Sequence, residues 1–384
     1  MRFEFATATR ILFGPGTVRD VGPLAREFGK NALVVTGQNV ERAQPLLAVL
    51  SANGIAATTF PVAGEPQLTT VQKGTATARS ERCDMVIGFG GGSALDAAKA
   101  IAGLITNAGD LLDYLEVIGK GKALENPGVP FIAIPTTAGT GTEVTRNAVL
   151  ASPEHRFKVS LRSPLLLAKL AVIDPELTYN LPPGITATTG LDALTQLIEP
   201  FVCSRTNPMM DALCVEGMQR AARSLRRAVE TGRDTAARGD MAVASLFGGL
   251  ALANAGLGAV HGFAAPIGGM FPAPHGAVCA ALLPHVMAAN LKALRERGST
   301  NPALNRYETV ARIVTNNPAA SADAGVEWVR NLVADLNVPG LAAYGIRKEH
   351  VSELTEKAQA ASSMKANPLP LTNEELAQIC EAAL

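Results

Sequence analysis

One stretch constrains this chain more than any other: Asp84–Ile101, DMVIGFGGGSALDAAKAI. Its short apolar run, Met85-Val86-Ile87, has the length and β-branched content of a buried strand. Gly88, Gly90, Gly91 and Gly92 follow, then Ser93 and an alanine-rich segment with the apolar spacing of a helix. Ser93 and Asp96 stand in the relation of a capping box, which predicts a helix over Ser93–Ile105. Glycines let the backbone turn sharply and come close to a ligand, and a helix start offers unpaired N–H groups and a positive dipole end. Strand, glycines and helix start together describe a pyrophosphate cradle. The plain alternative is a tight strand-to-helix turn with no ligand. The spacing fits neither GxGxxG nor GxxxxGKS/T, so the loop is of a different kind from both.

The segments around this stretch repeat its rhythm. Ala32–Thr36 reads as a buried strand ending at Gly37-Gln38-Asn39, a helical pattern runs to Leu50, and Ala56–Val62 is strand-like. Gly64-Glu65-Pro66 breaks the chain before a further helix, and Phe131–Ile134 is another strand. Lys158 and the run Leu170–Ile173 mark the last strands of this part. Strands alternating with helices imply an α/β domain with a parallel sheet, whose ligand crevice lies at the carboxyl ends of the strands. Thr36-Gly37 and Gly88–Gly92 both fall there. So does Pro135–Thr145, whose five threonines and two glycines offer hydroxyls and amides to a phosphate, a ribose or an amide-bearing ring. A hydroxyl-rich surface loop is the other reading of that segment. Leu181-Pro182-Pro183-Gly184 reads as a hinge between residues 1–180 and 181–384.

Beyond the hinge the pattern is helical. Gly190–Val202, Pro208–Glu230 and Asp323–Leu336 have helical spacing, with Val326, Val329, Val333 and Leu336 in one apolar stripe. Met241–Leu291 contains no Asp, Glu, Lys or Arg. Its first part has the length of a membrane span, but its glycines, prolines and His261 and His275 point to the buried centre of a helical domain facing a site. Asp192 and Gln196 lie four apart and project from one helix face. His261 is expected at the end of the next uncharged helix, and His275, after Pro274, at the start of another. A carboxylate, an amide oxygen and two imidazoles, with no thiolate among them, suit iron or zinc. Singly, each has a structural reading: a core histidine, a helix-start acid.

Composition removes other classes. The 34 basic and 34 acidic residues cancel, so no net field draws the chain to nucleic acid or an anionic membrane. The five cysteines are scattered without a CxxC, as expected of reduced thiols in a cytoplasmic protein. The N-terminus, MRFEFATATR, lacks the apolar core of a signal peptide.

Read together, the ordered motifs resemble the iron-containing (group III) alcohol dehydrogenases. The resemblance rests on Gly90-Gly91-Gly92-Ser93 with Asp96 and Lys99, on Pro135–Gly141, Asp174-Pro175 and Gly190–Leu194, and on His261, Pro274-His275 and Asn367-Pro368. It implies an α/β dinucleotide-binding domain over 1–180, an all-α metal- and substrate-binding domain over 181–384, and a metal in the cleft between them. Asp192, His261 and His275 are the implied catalytic metal ligands for Fe²⁺ or Zn²⁺, with Gln196 as a further metal-site residue, either a ligand itself or directly behind the ligands. The implied contacts of NAD or NADP are Gly37, Glu65, Pro66, Gly90, Gly91, Gly92, Ser93, Asp96, Thr136, Thr137, Thr140, Thr145 and Lys158. Hydride transfer between nicotinamide and an alcohol, aldehyde or ketone is the implied activity, in a cytoplasmic homo-oligomer, a dimer.

Three positions depart from the family pattern. Gln196 stands where a third metal-binding His is usual, Ala265 where a His near the nicotinamide is common, and Gly37 where an Asp often binds the adenosine ribose. Gly37 removes a charge that would repel a 2′-phosphate, so NADP(H) is expected to be tolerated or preferred. A metal-independent reductase of the maleylacetate reductase type, a dehydroquinate-synthase-like lyase and a non-catalytic nucleotide binder are the alternatives. The charge-free 241–291 stretch speaks against the lyase, whose kind carries many basic residues for a phosphorylated substrate.

Overall fold

Short β-rich apolar runs separated by amphipathic helices wind into a parallel sheet in the first part of the chain. The computed structural model describes residues 2–384, which divide into a sheet unit (Ala6–Thr137 with Gly141–Thr178) and a helical unit (Tyr179–Leu384 with Ala138–Thr140 and a short N-terminal segment). The sheet unit runs β1 (Ile11–Phe13), α1 (Val21–Ala25), β2 (Asn31–Gly37), α2 (Gln44–Ala52), β3 (Ala56–Val62), α3 (Leu68–Ser80) and β4 (Met85–Gly90). Then come α4 (Gly92–Ile105), α5 (Leu111–Tyr114), β5 (Phe131–Pro135), β6 (Asn147–Ser152), β7 (Phe157–Arg162) and β8 (Leu170–Ile173).

Six strands form one sheet in the order β1-β8-β5-β4-β2-β3, every pair parallel. The interior strands β4, β5 and β8 are buried at every position, which is why they read as continuous apolar runs. The edge strand β3 is largely exposed and tolerates Pro61. Lys158 lies on β7, which pairs with β6 in a separate antiparallel hairpin, not in the parallel sheet. The chain leaves β2 toward β3 on one side and leaves β4 toward β5 on the other. The carboxyl ends of β2 and β4 therefore flank the topological switch point, where an open α/β sheet has its ligand crevice.

At that point the capping-box expectation is corrected. β4 continues through Gly90, so the chain passes from strand to helix in one residue. Gly91 becomes the N-cap, with no side-chain cap, and Ser93 sits inside the first turn of α4. The glycines serve close packing. A Cβ on Gly88 would lie 2.8 Å from Leu95 and 3.0 Å from Ala98, and one on Gly90 would lie 2.6 Å from the Ala94 Cβ. Only bare backbone lets α4 lie this close to its own strand.

The helical unit comprises α6 (Pro183–Val202), α7 (Pro208–Glu230), α8 (Thr235–Asn254), α9 (Ala259–Met270), α10 (His275–Arg297), α11 (Ala303–Thr315), α12 (Ala322–Asp335), α13 (Val351–Ala360) and α14 (Asn373–Ala382). The central helix α6 is buried continuously from Gly190 to Val202 and packs against α7, α8 and α10. The charge-free stretch is not one helix: α8 and α9 meet at a 95° bend. His261 consequently lies in the first turn of α9, not at the end of the preceding helix. α10 has the length and apolarity of a membrane span, yet its apolar window is 78% buried inside the protein.

Candidate active site

Three helices of the helical unit bring the polar groups of an otherwise apolar core together. Asp192, Gln196 and Glu199 occupy positions i, i+4 and i+7 of α6, so they form one stripe along its continuously buried part. A Cβ on Gly276 would lie 2.4 Å from the Thr188 carbonyl oxygen, so the missing side chain lets the start of α10 rest on α6. That contact brings His275 to Asp192: its Nε2 lies 3.6 Å from Asp192 Oδ1. From α9, His261 Nε2 lies 3.6 Å from the same oxygen. One turn after His275, Cys279 Sγ stands 3.7 Å from His275 Nε2 and 3.9 Å from His261 Nε2. Donor atoms of Asp192, His261, His275 and Cys279 all fall within 4.8 Å of one another. Cys279, which was not among the candidate ligands read from the sequence, thus stands beside Asp192, His261 and His275.

Glu199, which the sequence reading passed over, orients this group. One carboxylate oxygen accepts from His261 Nδ1 at 2.6 Å, and the other accepts from the Val260 amide at 2.8 Å. The carboxylate thereby satisfies a free N–H at the start of α9, with Asn367 Oδ1 accepting from Ala259 N at 3.2 Å beside it. With Nδ1–H committed to Glu199, the Nε2 lone pair of His261 faces Asp192 and Cys279, the arrangement of a metal-binding imidazole. Gly258 makes room: a Cβ there would be 2.8 Å from Glu199 Oε1 and 2.9 Å from Asn367 Oδ1. Both residues announce themselves in the sequence, Glu199 as the third polar residue on one face of a buried helix and Cys279 one turn beyond a predicted ligand.

The cluster is suited to a cation. Tetrahedral Zn²⁺ with ligand bonds of about 2.0–2.3 Å sets neighbouring donors roughly 3.3–3.6 Å apart, close to the separations found here. Asp192 Oδ1 and Gln196 Oε1 are buried with no hydrogen-bond partner. Burial pushes the Asp192 carboxyl up, but His275, His261 and the Gln196 amide outweigh it and hold it below its ordinary range. Burial also opposes the His261 cation, yet Cys279, Asp192 and Glu199 raise that imidazole well above its usual value. His275 is raised in the same sense, against burial, by Cys279 and Asp192. All three shifts mark a buried point that favours positive charge. The residues fit a divalent ion.

In the sheet unit a second group assembles at the switch point. Gly37 ends β2, Gly90 ends β4, and the Thr136 amide donates to the Gly90 carbonyl at 2.8 Å. A Cβ on Gly91 would touch the Thr137 side chain at 3.4 Å, and one on Gly37 would meet nothing within 4 Å. Thus Gly37, Gly90, Gly91, Gly92, Ser93, Thr136 and Thr137 gather around the α4 N-terminus. Glu65 pairs with Lys158 Nζ at 3.0 Å, and the Pro66 carbonyl accepts from Ala151 N at 2.8 Å, joining the turn after β3 to the hairpin. Asp96 is buried on α4. The Thr145 hydroxyl accepts from Lys99 Nζ at 2.8 Å. That ammonium also donates to the carbonyls of Thr142, Thr145 and Asn147 at 2.7, 2.9 and 2.8 Å, pinning the segment after β5 to α4. Burial lowers Lys99 to about 8, against the pull of Asp96 and Glu143. Thr140 is grouped with the helical unit.

Comparison with known proteins matches residues 8–175 to the family described as iron-containing alcohol dehydrogenase, and residues 186–384 to its C-terminal part. Long-chain-alcohol dehydrogenase 1 of Geobacillus thermodenitrificans is 36% identical over 98% of this chain and 97% of its own length. The NAD-dependent methanol dehydrogenase of Bacillus methanolicus is 33% identical over 97% of each chain. Among solved structures, a 1,3-propanediol oxidoreductase superposes with a TM-score of 0.93 at 33% identity, covering all of both chains.

Proposed function

This chain belongs to the iron-containing alcohol dehydrogenases, an oxidoreductase family acting on alcohols, and on that premise we propose that it interconverts an alcohol and its aldehyde or ketone through the cluster on α6, α9 and α10. Asp192, His261 and His275 would hold Fe²⁺ or Zn²⁺, with Gln196 beside them. The ion, when bound, acts as a Lewis acid toward the substrate oxygen. The chain's own residues do the rest. Glu199 fixes the His261 tautomer, and Asp192 supplies a buried negative charge. The observation that carries this reading is the unpartnered, buried Asp192 Oδ1 with two imidazole Nε2 atoms each 3.6 Å away.

Nucleotide binding falls to residues 1–180 and metal and alcohol to residues 181–384. The free amides at the start of α4 receive the pyrophosphate, Thr136 and Thr137 offer hydroxyls, and the open space at Gly37 admits a 2′-phosphate, so NADP(H) serves as well as NAD(H). Glu65, Pro66, Asp96, Thr140, Thr145 and Lys158 complete the proposed contacts. Five buried, unpaired cysteines support a reducing, cytoplasmic setting, and a homodimer is inferred from the family resemblance.

The test removes the ion with a chelator, restores Fe²⁺ or Zn²⁺, and repeats the measurement on His261→Ala and His275→Ala. Activity should vanish and return in the wild type. Both variants should lose metal and carbonyl reduction together while nucleotide affinity survives. Full turnover by metal-free protein, or variants that keep both metal and turnover, would overturn the assignment.

A further inference from the structure

Gln196 stands where its resemblance to the family asks for an imidazole, and the structure puts a stronger donor nearby. We propose that Cys279, not Gln196, is the fourth protein ligand, making an Asp-His-His-Cys centre; this rests on the metal-dependent reading above. Cys279 is fully buried on α10. Its Sγ approaches both imidazole Nε2 atoms, at 3.7 and 3.9 Å, about as closely as ligands of one ion lie to each other. The buried Asp192 Oδ1, which has no hydrogen-bond partner, belongs to the same cluster.

Gln196 Oε1 lies on the α8 side, 3.5 Å from where a Cβ on Gly248 would stand, and a neutral amide oxygen is a weaker donor to a borderline divalent ion than a thiolate. On coordination the Cys279 thiol gives its proton to solvent and its sulfur lone pair to the ion. Thiolate also shifts preference toward softer ions, so zinc or cobalt should compete with iron more strongly than at an oxygen- and nitrogen-only centre.

Cobalt tests this without turnover. Full-length protein stripped by a chelator is loaded with one equivalent of Co²⁺, and its near-ultraviolet spectrum is recorded. Wild type should show an intense sulfur-to-cobalt charge-transfer band, and Cd²⁺ should give the corresponding sulfur-to-cadmium band. Cys279→Ser should lose the band and about 100-fold or more in Co²⁺ affinity, with its far-ultraviolet circular dichroism unchanged. Gln196→Ala should keep the band. Wild type that binds cobalt at Asp192, His261 and His275 without the band would overturn the Cys279 ligand and leave the proposed function standing. Alcohol turnover by protein that takes up neither cobalt nor cadmium would overturn both. The wild-type spectra decide the matter even if the serine variant does not fold.

Discussion

Replacing Glu199 probes how the imidazole is held. The carboxylate is 5% exposed and accepts two hydrogen bonds, from His261 Nδ1 at 2.6 Å and from Val260 N at 2.8 Å. Hydrogen bonds to a charged acceptor contribute about 1.5–3 kcal/mol each. In Glu199→Gln one carbonyl oxygen remains, so one of the two donors keeps a partner and the other faces an NH₂ group. If the glutamine oxygen goes to the amide, the His261 ring is released to rotate or change tautomer. Loss of such an outer partner lowers metal affinity by about 10–100-fold, or roughly 1.4–2.7 kcal/mol. Glu199→Ala leaves both donors buried and unpaired at about 1–3 kcal/mol each, so the helical unit should lose about 2–6 kcal/mol even without metal. Competition against a chromogenic chelator measures the affinity, and denaturant unfolding of metal-free protein measures the stability. Nucleotide affinity should not change. A Glu199→Gln protein whose metal affinity stays within about twofold of wild type would refute the orienting role.

Other perturbations bear on the sheet unit. Gly37→Asp adds a side chain where nothing lies within 4 Å, so stability should change by no more than about 0.5 kcal/mol. The ratio of kcat/KM for NADH over NADPH should rise about tenfold through repulsion of the 2′-phosphate, and an unchanged ratio would remove Gly37 from the cofactor site. Gly90→Ala places a Cβ 2.6 Å from Ala94 Cβ. The displaced α4 should cost about 1–3 kcal/mol in denaturant unfolding and weaken nucleotide binding in fluorescence titration. Glu143 is raised to about 7, by burial first, against its own backbone hydrogen bond and Lys99. A carboxyl raised in the folded state contributes stability below its unfolded value near 4.5 that is lost as pH rises through about 7. Wild type should lose about 3 kcal/mol from this group across that window, and Glu143→Gln should flatten the slope of unfolding free energy against pH. An equal slope in both proteins would exclude Glu143 as its source.

Much of this molecule is written in local pattern. Runs such as Ala56–Val62 and Leu170–Ile173, and the helix Pro208–Glu230, coincide with the strands and helix observed, because period and flanking glycine or proline act within a few residues. The parallel α/β sheet followed by helices follows from their alternation. Asp192, His261 and His275 were legible as chemistry, since a carboxylate and imidazoles stand out in a charge-free setting. Tertiary packing decided what local rules leave open. Ser93 looks like a cap, yet the sheet carries β4 through Gly90 and moves the helix start to Gly91, because sheet pairing outweighs a single side-chain cap. His261 looks like the end of a helix, yet the chain turns through 95° before it. Glu199 and Cys279 each sit one helical period beyond a recognised ligand, but their roles depend on α9 and α10 reaching α6 across glycines such as Gly258 and Gly276. Spacing along one helix fixes which face a residue occupies, and only the packing of separate helices determines which faces meet.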